Sequence, residues 1–268
     1  MSAAGRSRAL PPEDAVRTVV PVGSWVLLRG LTREQGHWGG FPAELARALP
    51  GATIVAVDLP GAGVLRHQRC PLRVEAMVEA CRRQLPAAGA APPHALLGLS
   101  MGGMVAAAWM RAYPHELSCG VLVNTSMRPY SPPQRRLQWR QLPRLVRLLA
   151  SSDASAVERV ILGLTSAWPE RHGAVVEAWQ ALRRARPVTR ANALRQLLAA
   201  ARYRWTGPAP ALPVLVASSA ADGLVDPACS QRIASAWGAT WVNHPAAGHD
   251  LPLDDGPWLA ARIADWLG

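Results

Sequence analysis

Short runs of apolar and β-branched residues alternate with longer amphipathic stretches along most of this 268-residue chain, and no other feature restricts its fold as much. Strands separated by helices pair in parallel, because a parallel neighbour needs a long crossover where an antiparallel one needs only a tight turn. The runs predict strands at 25–29, 53–58, 95–99, 120–124, 213–217 and 240–243, with a further edge strand at 16–20. Helices are expected at 41–49, 72–85, 101–113, 228–237 and 257–267. Between 124 and 213 the alternation stops. Residues 135–150, 155–164, 173–184 and 189–202 all read as helices there, bounded by Pro-rich joints at 131–133 and 207–213. The fold class expected is α/β: a mostly parallel central sheet with helices on both faces, plus an inserted all-helical segment. In domain terms, 1–15 is a flexible tail, 16–124 and 208–268 form the α/β core, and 125–207 is a helical cap.

Composition narrows the class further. Half of the residues are apolar and 18% are charged, which is too apolar for a disordered chain. No apolar stretch approaches the ~20 residues of a membrane span, so stable membrane insertion is not expected. The first residues carry Arg but no apolar signal segment, which points to the cytoplasm. Cys70, Cys81, Cys119 and Cys229 form no C-x-x-C pair and read as reduced, small hydrophobes rather than metal ligands.

The net charge is +11, and all of the cationic charge is Arg, since the chain contains no Lys. Between 126 and 207 there are 15 Arg against four acids, while the remainder balances 14 Arg against 14 acids. The excess therefore sits in the helical insertion. Three readings are open: solvated helix faces, attraction of an anionic substrate, or contact of the WRQLPRLVRLL stretch at 139–149 with an anionic membrane surface. No recognised nucleic-acid module accompanies the charge, so nucleic acid is not an expected partner.

The run HALLGLSMGGMVAAAWM at 94–110 carries the chemistry. Gly98-Leu99-Ser100-Met101-Gly102 falls where a predicted strand meets a predicted helix. A serine raised on such a sharp turn needs neighbours without bulk two positions away, and it presents its hydroxyl at a helix N-terminus, where free N–H groups favour negative charge. A serine is inert at neutral pH without a base and an orienting acid. His249 follows the last predicted strand, and Gly248 before it gives the loop freedom to present the ring; His244, at the strand end, is the alternative. Asp222 follows the 213–217 strand, with Asp226 the alternative, although Asp before Pro227 suits a helix cap. Asp250 adjoins His249 and should point away from it, and Asp254 and Asp255 read as turn or cap residues.

Ser100, Asp222 and His249 stand in that order, each beyond the end of a predicted strand, and here the sequence resembles the α/β-hydrolase fold family from Trp25 to Leu267. Asp58-Leu59-Pro60-Gly61-Ala62-Gly63 after the second strand and Gly248-His249 before the last helix add to the resemblance, which is nearest to short esterases and thioesterases with a helical cap. The family's first hairpin has little room before Trp25 and should be shortened or lost. The resemblance implies a serine hydrolase acting on a small-molecule carboxylic ester or thioester, with Ser100 as nucleophile, His249 as base and Asp222 as orienting acid. It implies oxyanion donors at the backbone N–H groups of Leu31 and Met101, and neither cofactor nor metal. Other chemistry on the same fold (amide or carbon–carbon bond hydrolysis, acyl transfer) and non-catalytic binding are the alternatives.

One position departs from the family. Arg29 stands before Gly30-Leu31 where His is usual, and a buried Arg there needs a partner, either Glu34 or a substrate carboxylate. Arg29, Trp38 and Trp139 are candidate substrate-pocket residues, and Trp168, Trp179 and Trp205 are further candidates for an apolar lining or for helix packing. Activity is expected to fall below about pH 6–7 as His249 takes a proton.

Overall fold

The computed structural model describes residues 23–151 and 153–268. The expected strand at 16–20 and the tail at 1–15 lie outside them. Among the described residues six strands form one parallel sheet: β1 (Ser24–Leu28), β2 (Thr53–Val57), β3 (His94–Leu99), β4 (Leu117–Val123), β5 (Val214–Ser219) and β6 (Thr240–His244), in the order β2-β1-β3-β4-β5-β6. β1, β3 and β5 are buried along their whole length, as strands covered on both faces must be, and their sequences are correspondingly near-continuous in apolar residues. β2 and β6, at the sheet's edges, alternate or lie open.

The two-residue period of the strands splits the core in two. Val26, Leu28, Leu96, Leu122 and Val216 point to one face, where α2 (Glu75–Arg82), α3 (Met101–Ala112) and α9 (Ala228–Trp237) bring Met77, Val105 and Ile233. Trp25, Leu27, Leu97, Val121 and Leu215 point to the other, against Phe41 and Leu45 of α1 (Phe41–Ala48) and Leu259 and Ile263 of α10 (Leu251–Leu267). Among the described residues five α-helices run between β4 and β5: α4 (Pro133–Arg136), α5 (Leu142–Ala150), α6 (Ala154–Thr165), α7 (Val175–Ala185) and α8 (Arg190–Arg202).

Three helices differ from their sequence expectation, and the one expected at 72–85 is confined to Glu75–Arg82. The single helix expected at 135–150 is broken, because the Gln138 N–H donates to Leu224 O outside the segment and Pro143 opens a new helix rather than continuing the old one. The last helix begins at Leu251 rather than 257, with a kink at Asp255 (φ −152°, ψ 69°) two residues before Pro257. Asp255 Oδ1 caps the restarted helix by accepting from Trp258 N, and Asp226 likewise caps α9 through Ala228 N at 2.9 Å.

After β1 the chain moves outward to β2 and then returns to place β3 on β1's other side. The connections leaving β1 and β3 therefore diverge, opening a crevice at the strands' C-terminal ends. Residues 29–34 and Ser100 sit there.

Candidate active site

Ser100 is held at φ 57° and ψ −117°, immediately before α3. A Cβ at Gly98 would collide with the Gly102 carbonyl, and one at Gly102 with Leu28 O, so the tight turn and the approach of α3 to β1 both need glycine there. The Met101 N–H stands at the first helical position, which no intrahelical carbonyl can satisfy. Ser100 N donates to Val123 O at 2.8 Å and Ser100 O accepts from Thr125 Oγ1 at 2.7 Å, so the turn is anchored to β4.

His249 and Asp222 meet across the ends of β5 and β6. His249 Nδ1 lies 2.7 Å from Asp222 Oδ2, and both side chains are buried. The other carboxylate oxygen accepts from Leu224 N at 2.8 Å and Val225 N at 2.9 Å, which fixes its plane. His249 has its pKa raised above the ordinary histidine value: burial alone would lower it, but the Asp222 charge and hydrogen bond, with Asp250 nearby, more than offset this. Neither alternative joins the pair. His244 accepts from Ala247 N at 2.7 Å and faces Asp255, and Asp226 pairs with Arg135.

Gly248 serves close approach rather than loop freedom. A Cβ there would lie 2.6 Å from Ala167 N and 2.7 Å from Thr165 O, so the His249 loop is pressed against the end of α6. Asp254 holds this junction, accepting from Ser166 Oγ at 2.5 Å, Ala167 N at 2.8 Å and Gly248 N at 2.7 Å. Asn124 donates to the carbonyl of His249 at 2.9 Å. Neither supporting role has a sequence signature, because each partner is set by tertiary packing.

Arg29 is not paired with Glu34. Its guanidinium makes a two-pronged contact with Asp250, Nη1 to Oδ1 at 3.0 Å and Nη2 to Oδ2 at 2.6 Å, with both side chains under 5% exposed. Glu34 is taken instead by Arg186. The Arg29–Asp250 pair joins the residue two before Leu31 to the residue after His249. Arg29 also sits 4.8 Å from the Trp38 ring centre.

Ser100, Met101, Leu31 and His249 line one cavity of about 910 Å³. Its remaining walls come largely from the helical segment, with Leu145 and Leu148 of α5, Ile161 of α6 and Leu197 of α8. Arg29 and Trp139 line it; Trp38 does not, being stacked on Phe41 in the core. Trp179 packs under Arg33, Trp205 against Trp237, and Trp168 beside His244. Among the described residues no group of three His, Cys, Asp or Glu is placed to hold a metal, and no helix is long and apolar enough to cross a membrane.

A parallel sheet with a serine on a strand–helix elbow at its centre defines a class of α/β protein, and the chain belongs to the α/β-hydrolase fold family, whose model matches residues 26–256. Among solved structures it is similar to the enol-lactonase from Burkholderia xenovorans LB400, with 20% identity, 92% of each chain covered and a TM-score of 0.74. Esterase RhEst1 from Rhodococcus sp. ECU1013 is 20% identical over 92% of this chain and 90% of its own, with a TM-score of 0.69. The RedJ thioesterase of the prodiginine biosynthetic pathway in Streptomyces coelicolor is 19% identical over 97% and 91%, with a TM-score of 0.61. At these identities the likeness is one of fold. No curated protein matches the sequence.

Proposed function

We propose that this protein is a serine hydrolase that cleaves a small-molecule carboxylic ester or thioester through an acyl-enzyme. The observation that carries the reading is Ser100, strained on its elbow, lining the same cavity as a His249 already bonded to Asp222 at 2.7 Å. His249 takes the Ser100 proton as the oxygen attacks the acyl carbon, and Asp222 stabilises the resulting imidazolium and fixes the tautomer. The Met101 and Leu31 N–H groups stabilise the oxyanion. His249 then protonates the departing alkoxide or thiolate and activates water to release the acid. In this reading 125–207 caps a core made of 16–124 and 208–268. Four unpaired, buried thiols are in keeping with a cytoplasmic location.

A fluorophosphonate probe tests the proposal. Stoichiometric labelling mapped to Ser100 by mass spectrometry, absent in Ser100→Ala, is the expected result. No labelling of the folded protein would overturn it. A panel of matched esters, thioesters and amides, with products identified, then fixes which bond is cleaved.

A further inference from the structure

The cavity that holds Ser100 is apolar along much of its wall, yet among the described residues six arginines line it against a single carboxylate. Pairing accounts for only part of that charge. Arg29 is neutralised by Asp250, the one lining acid among the described residues. Arg33 and Arg183 share Glu158, at 2.6 and 2.5 Å, so that trio keeps one net positive charge. Arg136 and Arg184 are not ion-paired among the described residues. Arg136 donates to the carbonyls of Ala200 and Ala201, and Arg184 donates to Gln180 Oε1 at 2.9 Å. Arg190 also lines the cavity.

Arg136 is the strongest of these. Its residue is 8% exposed, and its Nε, fully buried, has no hydrogen-bond partner. Burial without a counter-charge pulls its pKa down to about 10. A guanidinium kept in low dielectric at that cost gains most from an anion, because the attraction there is screened little and hydrogen bonds to ionised acceptors are the strong kind. The solvated-face reading covers the exposed Arg residues of the helical segment but not Arg136, and a membrane surface would not reach a residue so deeply placed.

We infer that the substrate is an anionic amphiphile: its apolar chain lies along Leu145, Leu148, Ile161 and Leu197, and its carboxylate or phosphate is held by the cavity arginines, Arg136 foremost. This rests on the hydrolase reading for the anion's relation to Ser100, but binding can be measured without turnover.

The test is calorimetric titration of the full chain with octanoate, octyl phosphate and octanol, the same chain bearing a carboxylate, a phosphate or no charge. At least one anion should bind about tenfold or more tightly than octanol. The advantage should shrink at about 0.5 M salt, where screening shortens to roughly 4 Å. Arg136→Gln should lose it. Because Arg136 also holds the end of α8, the exposed Arg184→Gln provides a second variant, expected to lose part of the advantage while folding normally. Equal binding of octanol and both anions overturns the inference, as does an anion preference that both variants keep in full. Turnover of neutral p-nitrophenyl octanoate, run beside these titrations, reports separately on the hydrolase reading.

Discussion

Ser100 pays for its position with a backbone that L-residues avoid, φ 57° and ψ −117°. Glycine adopts that region without strain, so Ser100→Gly should be more stable than Ser100→Ala by about 1 kcal/mol while both are inactive. Urea unfolding of the two variants measures it, and equal midpoints would mean that the elbow is unstrained. His249 gives a second prediction. Its pKa is raised, so the neutral base is lost on acidification at a pH above the ordinary ~6.5 rather than below it, and log kcat/KM should bend there. Asp222→Asn should move that bend down and cut the rate by about 10³–10⁴-fold. The stability linkage has the sign of any raised histidine: it is fully present below the unfolded pKa and is lost as pH rises through the folded one. Ser100, His249 and Asp222, the residues proposed for nucleophile, base and acid, could be picked out of the sequence because each adjoins a strand end marked by local pattern. The partner of Arg29 was not, because Asp250 lies 221 residues away and no local periodicity encodes that contact.

At the scale of elements, the buried parallel strands were legible to within about three residues, the largest difference being β4, which begins at Leu117 rather than 120, since a strand covered on both faces leaves an almost unbroken apolar run. Helix ends were less so. Pro143 and Pro257 each mark a break whose position depends on where neighbouring carbonyls and caps fall, as with Gln138 on Leu224 and Asp255 on Trp258. The Arg29–Asp250 pair connects the β1 and β6 loops, and its burial makes one-sided removal expensive. Asp250→Ala should destabilise by about 3–5 kcal/mol by leaving a buried guanidinium unpaired. The double variant Arg29→Met/Asp250→Leu should recover much of that stability, because no buried charge remains. A denaturant series on Asp250→Ala and the double decides it. A double variant no more stable than Asp250→Ala would show that packing on Trp38, rather than charge pairing, dominates.

At the scale of the whole molecule, the basic helical segment and the neutral α/β core are charged differently but fastened tightly. Gln196 accepts from Thr32 N at 2.8 Å, and Asn192 accepts from Cys70 N at 3.0 Å, so α8 is tied to the loops after β1 and β2. One junction beside the His249 loop is Asp254, a fully buried carboxylate whose acceptors serve residues 166–167 of the segment and Gly248 of the core together. A carboxylate accepts at both oxygens; the amide of Asn offers only one acceptor and turns a donor toward an N–H group. Asp254→Asn should therefore loosen the segment and the His249 loop as one unit. Hydrogen exchange should quicken together at 165–167 and 247–250 while β3 stays protected, and kcat should fall at least about tenfold with a smaller change in KM. Faster exchange at 165–167 alone, with kcat intact, would mean that the segment roofs the cavity without helping to hold the base in place.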